Sequence, residues 1–125
     1  MTVDTTTDDC GVRCVDPERV ATTRRALVGV DEVEALAGVF KLLGDPRRAR
    51  ILFALLEAGE LCVCDLAATV DMSETSVSQA MRLLRTGGIV RNRREGRIVY
   101  YRLDDNHVRT LLQLSRAHVA YAGQD

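Results

Sequence analysis

The chain has 125 residues, one domain's worth, with an ordinary apolar content of 46% and a net charge of -1. Its apolar runs are too short to span a membrane, and its opening stretch MTVDTTTDD has neither the basic nor the apolar region of a secretory signal. A near-neutral total excludes a globally basic nucleic-acid binder, so any phosphate-binding surface must be a local patch. These features predict a cytoplasmic protein with no membrane partner. Thiols stay reduced there, and paired cysteines more often bind metal than form bridges.

Taken in chain order, residues 1–15 are polar and acidic and read as a flexible tail carrying Cys10 and Cys14. Residues 16–125 read as the folded domain. Asp16-Pro17 is a cap followed by proline at the first helical position, which predicts a helix to about Leu27. DEVEALAGVFKLLG has a helical apolar stripe through Val33, Leu36, Ala37, Phe40 and Leu43, ended by Gly44. Asp45-Pro46 starts the next helix, which stops at Gly59. A short helix is expected from about Leu61 to Val70. A further helix is expected from a Ser73 cap to Gly87-Gly88. In IVRNRREGRIVYYRL, two β-rich runs flank Arg94-Glu95-Gly96 and predict a hairpin. Asp104 or Asp105 then caps a last helix that runs to Ala122.

Short helix, turn, second helix and basic hairpin form the order of a winged helix-turn-helix, mainly α with a small β-hairpin. The second helix would enter the major groove of double-stranded DNA. Its polar face offers Ser73, Thr75, Ser76, Ser78, Gln79 and Arg82 to base edges or phosphates. The hairpin supplies Arg91, Arg93, Arg94 and Arg97. Solvated helix residues would give a similar pattern on the helix alone. The adjoining glycine stop and arginine-rich hairpin favour DNA.

LGDPRRARILFALLEAGELCVCDLA, SVSQAMRLLRTGGIV and REGRIVYYRL occur in this order, and with them the stretch from about Leu42 to Ala122 resembles the ArsR/SmtB family of metal-sensing repressors. Cys10 and Cys14, joined with ELCVCDL, are similar to its cadmium/lead/zinc-responsive, CadC-like branch. The resemblance implies a homodimeric repressor that leaves operator DNA when Cd(II), Pb(II) or Zn(II) binds as inducer, with no organic cofactor.

The residues speak to this independently. Cys62 and Cys64 would lie about 200° apart on a regular helix, so both reach one ion only at an irregular helix start. Cys10 and Cys14, four apart, can converge as a helical turn or a loop. Soft thiolates select Cd(II), Pb(II), Zn(II) or Cu(I). Burial as a small hydrophobe is the alternative for Cys64, and a disulfide switch is an alternative for the upstream pair. Arsenite sensors of the family carry a third cysteine in a CxCxxC run, where this chain has Ala67.

His107 and His118 lie within about 20° of one helix face but about 16 Å apart along it, so they meet at one ion only across an antiparallel partner helix. The family's second metal site has this plan, and Asp105, His107 and His118 occupy its positions. Its fourth ligand position holds Tyr121, a poor ligand. Surface histidines on a dimer helix are the other reading. An arsenite- or redox-responsive repressor of the same fold, a pure metal buffer and a thiol or metal enzyme complete the alternatives. An enzyme has no use for the arginine hairpin, and no catalytic residues are expected.

Overall fold

The structure, a computed structural model, describes residues 14–123. It divides into a unit ending at Glu34 and a unit beginning at Ala35. In the first unit, the Asp16 carboxylate accepts from the Arg19 backbone N–H at 3.0 Å and caps helix α1 (Pro17–Ala26), whose last turn holds Arg24 and Arg25. Acidic cap and basic end match the helix dipole. Helix α2 (Val30–Leu43) follows, and its residues from Ala35 onward belong to the second unit. The expected tail, residues 1–15, lies outside the described residues except for Cys14 and Val15.

In the second unit, Asp45 caps α3 (Pro46–Ala58) by accepting from the Arg47 N–H at 2.8 Å. Ile51, Leu52 and Leu55 form its fully buried stripe. Gly59, at φ +88°, ends the helix in a conformation that only glycine adopts readily. The next residues depart from expectation. Glu60–Cys62 form a strand, β1, and the helix α4 runs from Val63 to Val70. Leu61 and Cys62 are therefore not helical. Pairing of Glu60, Leu61 and Cys62 with Arg102, Tyr101 and Tyr100 outcompetes the local helical option.

Asp71, left-handed at φ 56°, ends α4 and begins the turn to α5 (Glu74–Thr86), capped by Ser73. Strands β2 (Val90–Glu95) and β3 (Ile98–Leu103) then form the wing, and Asp105 caps α6 (Asn106–Ala122). The sheet has three antiparallel strands in the order β1-β3-β2, so the expected hairpin carries an extra strand. Its turn is Gly96-Arg97, one step later than expected, with Glu95 opposite Ile98. Gly96 at φ +64° supplies the positive angle that a two-residue turn needs at its first position.

Asp104 does not cap α6, since its carboxylate pairs with Arg91 at 2.9 Å. The core joins Leu55, Leu66, Val77, Met81, Leu84 and Val90 from α3, α4, α5 and β2. Each such side chain contributes about 1.5–3 kcal/mol by leaving water. That core leaves Leu114, Val119 and Tyr121 on α6 exposed, at 63%, 69% and 71%.

Candidate functional site

The junction of β1 and α4 brings the two cysteines of ELCVCDL together. Cys62 is the N-cap of α4, with an extended backbone at φ -79° and ψ 168°, and Cys64 lies in the first helical turn. Its extended angles take Cys62 off the helical wheel, and the two sulfurs lie 3.3 Å apart. Cys62 is buried and Cys64 exposed.

Asp65 joins them. One ligand atom from each of Cys62, Cys64 and Asp65 lies within 4.8 Å of the others, the one such group among the described residues. Sequence reasoning missed Asp65, although its place three residues after a helix cap is where a side chain turns back toward the cap. The set fits a soft or borderline divalent ion. Two sulfurs on one tetrahedral zinc lie roughly 3.8 Å apart, given bonds of about 2.3 Å. A small side-chain rotation opens 3.3 Å to that value.

The Asp65 backbone amide beside the Cys62 sulfur favours its thiolate. The Cys64 thiol, burial and the Asp65 carboxylate outweigh it, and the net effect pushes the Cys62 thiol up. A cation taken by the site would favour loss of the Cys62 proton. Cys62 and Cys64 line an open groove of about 320 Å³, together with Glu74 and Ser78 of α5 and Arg97 and Ile98 of the wing. Cys14 is exposed in the first unit, and Cys10 lies outside the described residues.

The last-helix residues are arranged differently. His107 Nδ1 lies 3.2 Å from Asp105 Oδ2, with the imidazole 97% exposed. The Val108 N–H and then His107 hold the Asp105 carboxyl below its ordinary value. His118 stands three turns further along α6, and the structure does not bring it to this pair within one chain.

On α5, Thr75, Gln79 and Arg82 are exposed. Ser73 is engaged as the cap: its Oγ accepts from the Ser76 N–H at 3.1 Å and bonds the Ser76 hydroxyl at 2.9 Å. Ser78 is half-buried at the thiol groove. Among the hairpin arginines, Arg91 is paired with Asp104, and Arg93 is held by Glu60 and Glu95. Arg94 and Arg97 are exposed, with no carboxylate partner among the described residues. Sequence reasoning also passed over Arg47, exposed on the first turn of α3, which shares a hollow with Ser76 and Gln79. A cation at a helix start beside the recognition helix can hold a DNA phosphate.

Residues 45–92 match the family described as "Bacterial regulatory protein, arsR family". A cadmium resistance transcriptional regulatory protein CadC homolog of Staphylococcus aureus is 38% identical, over 90% of this chain and 93% of its own length. The crystal structure of the AntR antimony-specific transcriptional repressor superposes with a TM-score of 0.73 at 32% identity, over 91% of this chain and all of its own. A homodimeric winged helix-turn-helix DNA-binding domain from Mycobacterium bovis, Mb0332, gives a TM-score of 0.68 at 32% identity, over 72% and 82%.

Proposed function

We propose that this chain, which belongs to the arsR family of bacterial regulatory proteins, represses transcription as a homodimer and leaves its operator when a soft divalent ion binds the thiols of the β1–α4 junction. Members of this family are transcriptional regulators and not enzymes, and the chain is a DNA-binding winged helix-turn-helix protein. No helix among the described residues is long and apolar enough to cross a membrane.

The observation that carries the metal reading is the meeting of Cys62, Cys64 and Asp65 beside the recognition helix and wing. Two thiolates and a carboxylate suit Cd(II), Pb(II) or Zn(II). Cys10 and Cys14, on sequence and chemistry alone, are proposed as further thiolate donors from the partner chain. A bound divalent cation supplies the charge that keeps the thiols deprotonated.

Thr75, Gln79 and Arg82 are proposed to read bases and phosphates in the major groove, with Arg94, Arg97 and Arg47 on the backbone. The exposed apolar face of α6 supports the dimer, and its two-fold axis sets the spacing of the recognition helices. Release requires the ion to bind the DNA-incompetent state more tightly, and operator DNA then weakens ion binding by the same factor.

The antimony-specific neighbour motivates a second reading, a trivalent metalloid at the same thiols. Ala67, where family arsenite sensors carry a third cysteine, weighs against it. The experiment is titration of the reduced protein with Cd(II), Pb(II), Zn(II), arsenite and antimonite, following thiolate charge-transfer absorption together with release of promoter DNA. The divalent reading expects release at lower Cd(II) or Pb(II) than at either metalloid. The reverse order overturns it.

A further inference from the structure

The guanidinium of Arg93 is paired on its own protein. Its Nε donates to Glu60 Oε2 at 2.9 Å and its Nη2 to Glu60 Oε1 at 2.8 Å, a two-pronged pair. Its Nη1 donates to Glu95 Oε2 at 2.6 Å, and its plane lies over the Tyr100 ring at 4.6 Å. Two carboxylates around one guanidinium leave a net charge of about -1 at the very residue that sequence reasoning assigned to phosphate. Arg94 and Arg97, on the same hairpin, carry no such partners among the described residues.

The two carboxylates are not equivalent. Glu95 holds with one bond, is 68% exposed and moves with the wing that bears Arg93. Glu60 is 30% exposed, holds with two bonds, and belongs to β1. That strand ends at Cys62. Cys62 is opposite Tyr100, and Tyr100 is opposite Arg93, so the three residues form one row across the sheet. Opposite residues of antiparallel strands share a face. A thiol ligand, an aromatic platform and a wing cation are thus in register, and Glu60 reaches diagonally from the first strand to the last.

We propose that Glu60 is a positioning residue that holds Arg93 away from DNA phosphates, so that the Glu60–Arg93 pair links the thiol site to the wing within one protomer. DNA binding opens the pair, and Arg93 exchanges a carboxylate for a phosphate. Holding Cys62 at an ion fixes the end of β1 and keeps Glu60 in place, which raises the cost of that exchange. The inference rests on the reading that the wing lies on DNA, and it adds a route that does not pass through the dimer axis.

The test is fluorescence anisotropy of a random-sequence DNA duplex over a salt series, with and without Cd(II), for the full chain and for Glu60→Gln. The variant should bind about two- to fivefold more tightly, the range an exposed ion pair reaches. Its plot of log affinity against log salt should keep the parent's slope, because Arg93 reaches one phosphate in both complexes. Arg93→Ala placed on Glu60→Gln should remove the gain and lower the slope by about 0.9, one phosphate contact. Cd(II) should still bind, by charge-transfer absorption, but should displace less duplex. Glu60→Asp, which keeps the charge but shortens the reach, should fall between. Weaker or unchanged binding in Glu60→Gln overturns the proposal, because the pair would then only shape the sheet. Arg94→Ala and Arg97→Ala separate the two failures. If they lower the slope while Glu60→Gln does nothing, the wing lies on DNA without this link. If they also do nothing, the wing reading itself fails.

Discussion

Two regions offer metal-binding chemistry, and they differ in how much of a site one chain completes. At the β1–α4 junction, two sulfurs 3.3 Å apart lie near a carboxylate, and the two cysteines line a groove shared with the recognition helix and wing. On α6, Asp105 and His107 form an exposed pair, while His118 stands too far along the same helix to join them. The first region gathers three candidate ligands within one chain. A site on α6 would need another copy to bring His118 to the pair, and Tyr121 stands where its fourth ligand would be. Preorganised ligands in contact with the DNA-reading elements can couple binding to release, whereas an open pair on a helix end has little to hold or to move.

The largest effect that would sharpen this contrast is expected from Cys62→Ser. Serine is nearly isosteric but too hard and too weakly acidic to replace a thiolate. The response to Cd(II) and Pb(II) should disappear, with metal affinity falling by more than the roughly 10–100-fold that follows from changing a residue that only orients a ligand. DNA binding without metal should survive. Operator release against metal concentration checks both points. A variant that keeps its response, while His118→Ala loses it, would reverse the ranking of the two regions.

Leu114→Asp addresses the claim that α6 needs a partner. This side chain is 63% exposed in the single chain, so a charge there leaves the core intact. Monomers in sedimentation and loss of operator binding are expected, since one half-site supplies too little affinity. Leu112, at 5% exposed, would be the wrong choice because it belongs to the core. A stable dimer of Leu114→Asp would put the interface elsewhere.

Asp65→Asn asks whether the junction uses its carboxylate. The amide keeps the shape and removes the charge. Cd(II) affinity should fall roughly tenfold, no more than losing a residue that only orients a ligand costs, because a hard oxygen adds little beside thiolates on a soft ion. Competition with a chromophoric chelator measures it, and an unchanged value would leave the site to thiolates alone. The smallest change is expected from His118→Ala, whose Cd(II)-driven release should match the parent within about twofold. A shift confined to Zn(II) would show that the α6 residues form a separate, harder site.

Local signals made most helices readable. Asp16-Pro17, Asp45-Pro46 and Ser73 open helices in the structure where a short polar side chain can accept a backbone N–H, and Gly59 closes one where a left-handed residue is needed. The helix-turn-helix order and the hairpin follow from such signals and from periodicity. The strand Glu60–Cys62 was not legible, because its partners Tyr100, Tyr101 and Arg102 lie far along the chain and its three residues show no period of their own.

The chain's own order of residues therefore determined which segments are helical, which carry thiols and which carry arginines. Tertiary structure alone decided what those side chains meet. Pairing of β1 with β3 bends the chain at Cys62, and that bend brings the two sulfurs together and draws in Asp65. The same pairing sets Glu60 against Arg93, 33 residues away, and turns an apparent phosphate contact into an internal ion pair. Contacts of that separation depend on sheet register, which no local propensity encodes.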